Sequence, residues 1–307
     1  MKFILYLACF LSVPIFSHSV KTFLIVGGKS GWIGQKLMTI IKKKGYNAIS
    51  AESRLENRES IETEIKKINP DYIINTAGVT GVPNVDWCED HKQETIRSNI
   101  IGALTIADIG FKHNIPVINV GTGCIYEYDE QHPVNSGIGF KEDEEPNFDG
   151  SFYSFTKIML DKLLFNYPNV LNLRLRMPIS DDLHPRNFIT KISKYNKVVN
   201  IPNSMSVLSD LLPLIPEMAE RNLRGNYNFV NPGVISHNEI LELYKHYINP
   251  DFVYRNFSVE EQNQILKAKR SNNELDAAKL LGEFPHIPHI KTSIARVFER
   301  MQVSLAM

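Results

Sequence analysis

The stretch Thr22-Phe23-Leu24-Ile25-Val26-Gly27-Gly28-Lys29-Ser30-Gly31-Trp32-Ile33-Gly34 constrains the fold more than any other. Its first five residues form a short apolar run, which reads as a fully buried strand. The glycines then turn the chain into a segment with apolar residues at helical spacing, Trp32 to Lys44, closed by Gly45, a common helix C-cap residue. Gly28, Gly31 and Gly34, with Lys29, Ser30, Trp32 and Ile33 between them, let the backbone approach a pyrophosphate resting on the helix N-terminus. A glycine-rich turn also occurs without any ligand. The flanking strand and helix are what make a dinucleotide site the expected reading.

Further apolar runs lie at Ala48–Ile49, Tyr72–Ile74, Val117–Val120 and Leu171–Leu175. Helical patterns separate them: Ser60–Ile68, Glu94–His113 and Tyr153–Phe165. This alternation predicts an α/β fold, a doubly wound parallel sheet covered on both faces. After Pro178 the rhythm changes. Helices are expected over Arg186–Tyr195, Val207–Arg221, Ser236–Tyr247, Ser258–Ala268, Glu274–Leu281 and His289–Met301, and one strand, Tyr227–Val230, is expected to return to the main sheet. The expected organisation is a cofactor-binding domain over 21–177, with its returning strand near 226–231, and a smaller, mostly helical substrate lobe over 178–302.

Residues 1–20 stand apart. Lys2, the apolar run Phe3–Phe16 and the stretch Ser17-His18-Ser19-Val20, with small residues at a possible cleavage point, fit a secretory signal peptide; an apolar extension fits equally. The run is too short for a comfortable membrane span. A cytoplasmic location is expected, with the secretory pathway as the alternative. Lys plus Arg equals Asp plus Glu at 34 each, so no global field attracts nucleic acid or an anionic membrane. Cys9, Cys88 and Cys124 show no metal-ligand spacing with one another or with histidines, and no metal is expected.

The dinucleotide type depends on Ala51-Glu52-Ser53-Arg54, at the end of the second strand. Ser53 and Arg54, with Lys29 nearby, can hold a 2′-phosphate, which favours NADPH. Glu52 can instead accept from a ribose hydroxyl, which keeps NADH as the alternative. Asn75-Thr76-Ala77-Gly78 closes the third strand, and its small residues leave room for the cofactor. Asn99 is a candidate to bond backbone near the site, or a buried structural Asn.

Tyr153-Ser154-Phe155-Thr156-Lys157 places a phenol and an amine at i and i+4, on one helical face. An adjacent ammonium is expected to lower the phenol pKa, so that it trades a proton near neutrality. Thr122, at the end of the fourth strand, supplies a second hydroxyl. Cys124 follows two residues later. By itself such a cysteine reads as a small buried hydrophobe.

Several unusual stretches give the chain a family resemblance: Arg54–Arg58, Asn84–Glu89, Thr122–Ile125, Gly137–Glu142, Arg176–Ile179, Pro185–Lys191, Asn200–Met205 and Arg270–Glu274. With the glycine turn and the Tyr/Lys pair, they resemble the extended short-chain dehydrogenase/reductases of the nucleotide-sugar branch. Within that branch they resemble the 3,5-epimerase/4-reductases of UDP-4-keto-6-deoxy-glucose, over about Lys21 to Met301. The resemblance implies a Rossmann fold, NADPH and a UDP-sugar substrate delivered by an upstream 4,6-dehydratase, with a homodimer as the candidate assembly. Tyr153 and Thr122 would grip the C4 carbonyl, and Cys124 would act as base or acid, with Lys191 its opposite-face partner. The Arg176–Ile179 stretch would lie under the nicotinamide, with Met177 and Pro178 as its cofactor contacts. Asn187, Asn203 and Arg270 are candidates for the diphosphate and uracil, and each equally for ordering a loop. Three alternatives stay open: a GDP-sugar enzyme of the GDP-L-fucose synthase kind, a dTDP-sugar 4-ketoreductase, and a non-catalytic NADP-binding regulatory subunit.

Overall fold

The computed structural model describes residues 20–306; the signal-like segment lies, but for Val20, outside them. The central sheet has six parallel strands: β1 (Thr22–Val26), β2 (Asn47–Ser50), β3 (Tyr72–Asn75), β4 (Val117–Thr122), β5 (Val170–Leu175) and β6 (Gly225–Asn228), in the order β2-β1-β3-β4-β5-β6. The returning strand does join β5, two residues earlier than expected. Alternate side chains of a strand point to opposite faces, so Phe23 and Ile25 join one core cluster and Leu24 and Val26 the other. Helix α1 (Trp32–Lys43) covers the first face. Helices α2 (Arg58–Ile68), α3 (Ala103–Lys112) and α4 (Phe152–Leu164) cover the second. Each fully buried Leu, Ile or Phe contributes roughly 1.5–3 kcal/mol, which is what draws these amphipathic helices onto the sheet.

The sheet interior also carries a polar line. Asn75, Asn119, Asn172 and Asn226 stand in register on neighbouring strands. Each donates its amide to the next, at 2.9, 2.8 and 3.0 Å. Asn172 also donates to Asp161 on α4 at 2.8 Å, and Asp161 pairs with the buried Arg174 at 2.6 Å. Tyr153, Lys157 and Asp161 lie four apart and are all buried, so this network fixes the rotation of the helix that carries the phenol and amine.

Beyond β5, Ile179, Met205, Ile240, Ile294 and Phe298 anchor a separate core that includes α5 (Phe188–Ile192), α6 (His237–Tyr247) and α7 (Ile290–Ala306). Four of the helices expected beyond Pro178 are shorter, shifted or broken: Ser258–Ala268 reduces to Val259–Ile265, Glu274–Leu281 moves to Ala278–Glu283, and two others change more. The one expected over 186–195 is only α5, because the Asn187 side chain caps its start. The one expected over 207–221 splits into Leu208–Leu211, a 3₁₀ turn and Ile215–Glu220, with Pro213 and Pro216 at the breaks. Leu208, Leu211, Ile215 and Met218 pack on the sheet face beside α1. The helix expected over 94–113 starts at Lys92 and passes through a π-helical segment, Arg97–Gly102, before α3. No helix among the described residues is long and apolar enough to cross a membrane.

Candidate active site

A cleft of about 780 Å³ lies at the C-terminal ends of β1, β3, β4 and β5, closed on its far side by α5, α6 and the 269–272 segment. At one end is the glycine turn. Gly27 adopts φ +84°, which only glycine tolerates without strain, and its carbonyl accepts from Gly31 N–H at 3.0 Å. A Cβ on Gly31 or Gly34 would sit 2.6 or 2.4 Å from that carbonyl oxygen. Helix α1 can therefore rest directly on the turn. Its N-cap, Gly31, has no side-chain cap, and its first turn carries no acid, so its N–H groups remain open to an anion.

Lys29, Ser30, Gly31, Trp32 and Ile33 line the cleft. Gly28 and Gly34 do not: a Cβ on Gly28 would meet Ser50 and Ile25, so both glycines serve packing. Gly27 was absent from the expected set, although the Gly27-Gly28 doublet signalled it. Trp32 is held by its indole N–H to Asp182 at 3.0 Å and by stacking on His184.

At the end of β2, Lys29 and Glu52 pair at 2.6 Å. The Arg54 side chain is 85% exposed, and its one ion-pair partner among the described residues is Glu56, at 4.0 Å. The backbone N–H groups of Glu52 and Ser53 both donate to Glu64. Glu52 is thus engaged, while Arg54 is free to meet an anion. Ala77 and Gly78 line the cleft; Asn75 lies behind them and orders the turn by accepting from Ala77 N–H at 3.1 Å. Asn99 sits in the π-helical segment and holds both backbone groups of Val79, at 2.8 and 2.9 Å. An open helix N-terminus, glycines where a Cβ would collide and a free Arg54 together fit a dinucleotide.

The chemical centre lies at the C-terminal end of β4. Thr122, Cys124, Tyr153 and Lys157 all line the cleft. Ser154 donates to the Cys124 carbonyl at 2.7 Å, and Thr122 Oγ1 accepts from Cys124 N–H at 3.1 Å. These bonds register the start of α4 against the strand end. The Ser151 hydroxyl caps that start by accepting from Ser154 N–H. One expectation is reversed. Burial, then Cys124, pushes the Tyr153 phenol up rather than down, with the Thr122 hydroxyl pulling the other way. Lys157 Nζ lies 5.9 Å from the Tyr153 ring centre, and burial lowers its own pKa to about 8. Burial in a low dielectric sets the direction for both groups.

On the far wall, Lys191 lines the cleft from α5; burial, then Arg186, holds its pKa below the usual lysine range. Met177 and Pro178 also line it, and Met177 adopts φ +40° as the chain leaves β5. Arg270 reaches the cleft while paired with Asp86 at 2.9 Å. Asn187 and Asn203 do not line it. The Asn187 amide donates to the Ser180 and Asp182 carbonyls at 2.7 and 2.6 Å. Asn203 Nδ2 donates to Ile201 O and Asn272 Oδ1, and its Oδ1 accepts from Arg176 and from Asn273 N–H. Both order loops, and the expectation of substrate contact is corrected for them.

Sequence reasoning gave no role to Arg186, which bonds Thr80 across the cleft at 2.8 Å, or to Lys269. It also passed over His237, whose buried Nδ1 has no partner among the described residues. Burial, then Arg176, pushes His237 down to about 4. Arg176 itself is 1% exposed and lies behind Cys124, its Nη1 3.5 Å from Sγ.

The chain belongs to the NAD dependent epimerase/dehydratase family, whose model matches residues 24–197. More particular likenesses follow. It is 58% identical over 273 residues to the trifunctional UDP-glucose 4,6-dehydratase/UDP-4-keto-6-deoxy-D-glucose 3,5-epimerase/UDP-4-keto-L-rhamnose-reductase of Arabidopsis thaliana, covering 89% of this chain and 41% of that one. The chain thus spans about two-fifths of that relative. It is 57% identical to the bifunctional dTDP-4-dehydrorhamnose 3,5-epimerase/dTDP-4-dehydrorhamnose reductase of the same plant, covering 92% and 94%. The crystal structure of the UDP-rhamnose synthase from Acanthamoeba polyphaga mimivirus superposes with a TM-score of 0.88 at 39% identity, covering 92% and 100%.

Proposed function

We propose that the protein is a bifunctional 3,5-epimerase/4-ketoreductase that converts UDP-4-keto-6-deoxy-D-glucose to UDP-L-rhamnose with NADPH. One observation carries this reading: two hydroxyls, a thiol and an amine (Thr122, Tyr153, Cys124 and Lys191) line the same cleft as the glycine turn. The near full-length likeness to the bifunctional plant protein supports it. The hydrogens on C3 and C5 are acidic because the C4 ketone can delocalise the charge left behind. Tyr153 and Thr122 hydrogen-bond O4 and stabilise the oxyanion as it develops. Cys124 and Lys191 exchange protons with the flanking carbons from opposite faces. Once the centres are inverted, Tyr153 gives its phenolic proton to O4, and its raised pKa keeps that proton in place until needed.

The turn from Gly27 to Ile33, Ala77-Gly78 and Met177-Pro178 would hold the dinucleotide, with Arg54 on its 2′-phosphate. When bound, it supplies the hydride for C4. Arg270, with Lys269 and Arg186, faces the nucleotide diphosphate. A 4,6-dehydratase supplies the ketone, and the reaction runs in the cytoplasm. The exposed Phe155, Met159 and Leu163 form one face of α4; two copies of that face bury each other in a homodimer. Incubation with the UDP-linked ketone and NADPH in D2O tests the reading. The expected product is UDP-L-rhamnose carrying deuterium at C3 and C5; unlabelled product removes the epimerase half. The dTDP-linked ketone, run in parallel, sets the nucleotide preference.

A further inference from the structure

Two arginines stand two residues apart at the end of β5, and both are 1% exposed. Arg174 has a carboxylate: its guanidinium grips Asp161 through Nε at 3.0 Å and Nη2 at 2.6 Å. Arg176 has none. Its Nη1 donates to Ser271 Oγ at 3.0 Å, the Gly123 carbonyl at 3.4 Å and Cys124 Sγ at 3.5 Å. Nη2 donates to the Asn203 amide oxygen and, at 2.6 Å, to the Ser271 carbonyl, while Nε has no partner among the described residues. A guanidinium does not deprotonate in a protein, and a buried charge is costly unless an opposite charge balances it.

The ionisable groups facing Arg176 are few. His237 on α6 and Tyr128 after β4 are neutral near neutral pH. Among the described residues the remaining one is the Cys124 thiol, which already accepts a guanidinium N–H. On its other side Cys124 faces the Tyr153 phenol, also neutral.

We propose that Arg176 is the counter-ion of Cys124 and holds it as a thiolate in the resting protein. The proposal rests on the epimerase reading above and deepens it, because it assigns direction. The thiolate takes the proton from the carbon beside the ketone and becomes a thiol. The ammonium of Lys191 gives a proton to the opposite face and becomes an amine. Solvent then takes the thiol proton and returns one to the amine, which is the route for deuterium to enter. Arg176 is a positioning residue: it acts through the sulfur without reaching the substrate.

The test is the pH profile of iodoacetamide alkylation at Cys124, read by peptide mass spectrometry on the protein without substrate. Wild type should show a midpoint at least one pH unit below the ordinary thiol value of about 8.5. Arg176→Gln should raise that midpoint and slow alkylation at pH 7 by about tenfold or more. Arg176→Lys, which keeps a cation, should bring the midpoint back down. A wild-type midpoint at or above 8.5 overturns the proposal without any variant, so a poorly folding Arg176→Gln protein does not shield it. A folded Arg176→Gln protein with an unshifted midpoint also overturns it, and the epimerase reading then stands. That reading fails separately if Cys124→Ala still incorporates deuterium from D2O.

Discussion

The two walls of the cleft are built differently. On the sheet wall, Thr122 ends a strand, and Tyr153 and Lys157 lie on the first turns of a 13-residue helix whose rotation is set by Asp161. On the lobe wall, Lys191 rides a five-residue helix, Arg186 reaches back to Thr80, and Arg270 is held to Asp86, 184 positions away in sequence. The first wall offers hydroxyls on rigid elements, suited to holding one carbonyl oxygen still through two reactions. The second offers cations on short segments, suited to the substrate and to proton exchange. Gripping the ketone and inverting its neighbours should therefore be separable by mutation.

The largest effect is expected on the sheet wall. Tyr153→Phe removes the group that both stabilises the oxyanion and protonates O4, so epimerisation and reduction should each fall by about 10³-fold, measured by deuterium uptake and by NADPH oxidation. Equal loss of both is the signature; loss of reduction alone would break the shared-carbonyl account. On the lobe wall, Lys191→Met should lower epimerisation by about 10²-fold and leave reduction of a ketone already inverted at C3 and C5 within about threefold. A pH effect follows next. Lys157 is charged below about 8 and neutral above, so reduction of the inverted ketone should fall as pH rises through that value, approaching about tenfold per unit. A profile flat to pH 10 would remove the charged Lys157 from the reductive step. The smallest effect is at the cofactor end. Arg54→Ala should raise the KM for NADPH by about tenfold and leave that for NADH nearly unchanged, because the Arg54 side chain is exposed and its one ion-pair partner among the described residues is Glu56, at 4.0 Å.

Legibility in the sequence divided along the same line. The β1–turn–α1 unit and the Tyr/Lys spacing are local, and all their expected residues but Gly28 and Gly34 reach the cleft, from elements that the periodicity places within a residue or two. Gly27 was passed over in favour of Gly28 because spacing alone does not tell which glycine of a doublet takes a positive φ. Asn75 drew attention as a cofactor-site residue, but the line it forms with Asn119, Asn172 and Asn226 did not, since that line exists only once strands 44 to 54 residues apart are in register. Arg176, expected under the nicotinamide, instead lies behind Cys124, for the same reason: its partners Cys124 and Ser271 lie 52 and 95 positions away. Asn187 and Asn203 looked like polar loop residues free to meet a substrate. Their amides are instead used by loops whose geometry the sequence does not state. The phenol's pKa was misjudged because spacing shows the amine and conceals the burial.

The most direct measurement gives Cys124→Ala each of two ketones in turn, with NADPH oxidation recorded for both. One is UDP-4-keto-6-deoxy-D-glucose; the other is the same ketone already inverted at C3 and C5. The account predicts that the second is reduced at close to the wild-type rate while the first yields no UDP-L-rhamnose. Equal turnover of both, or equal loss of both, would contradict it.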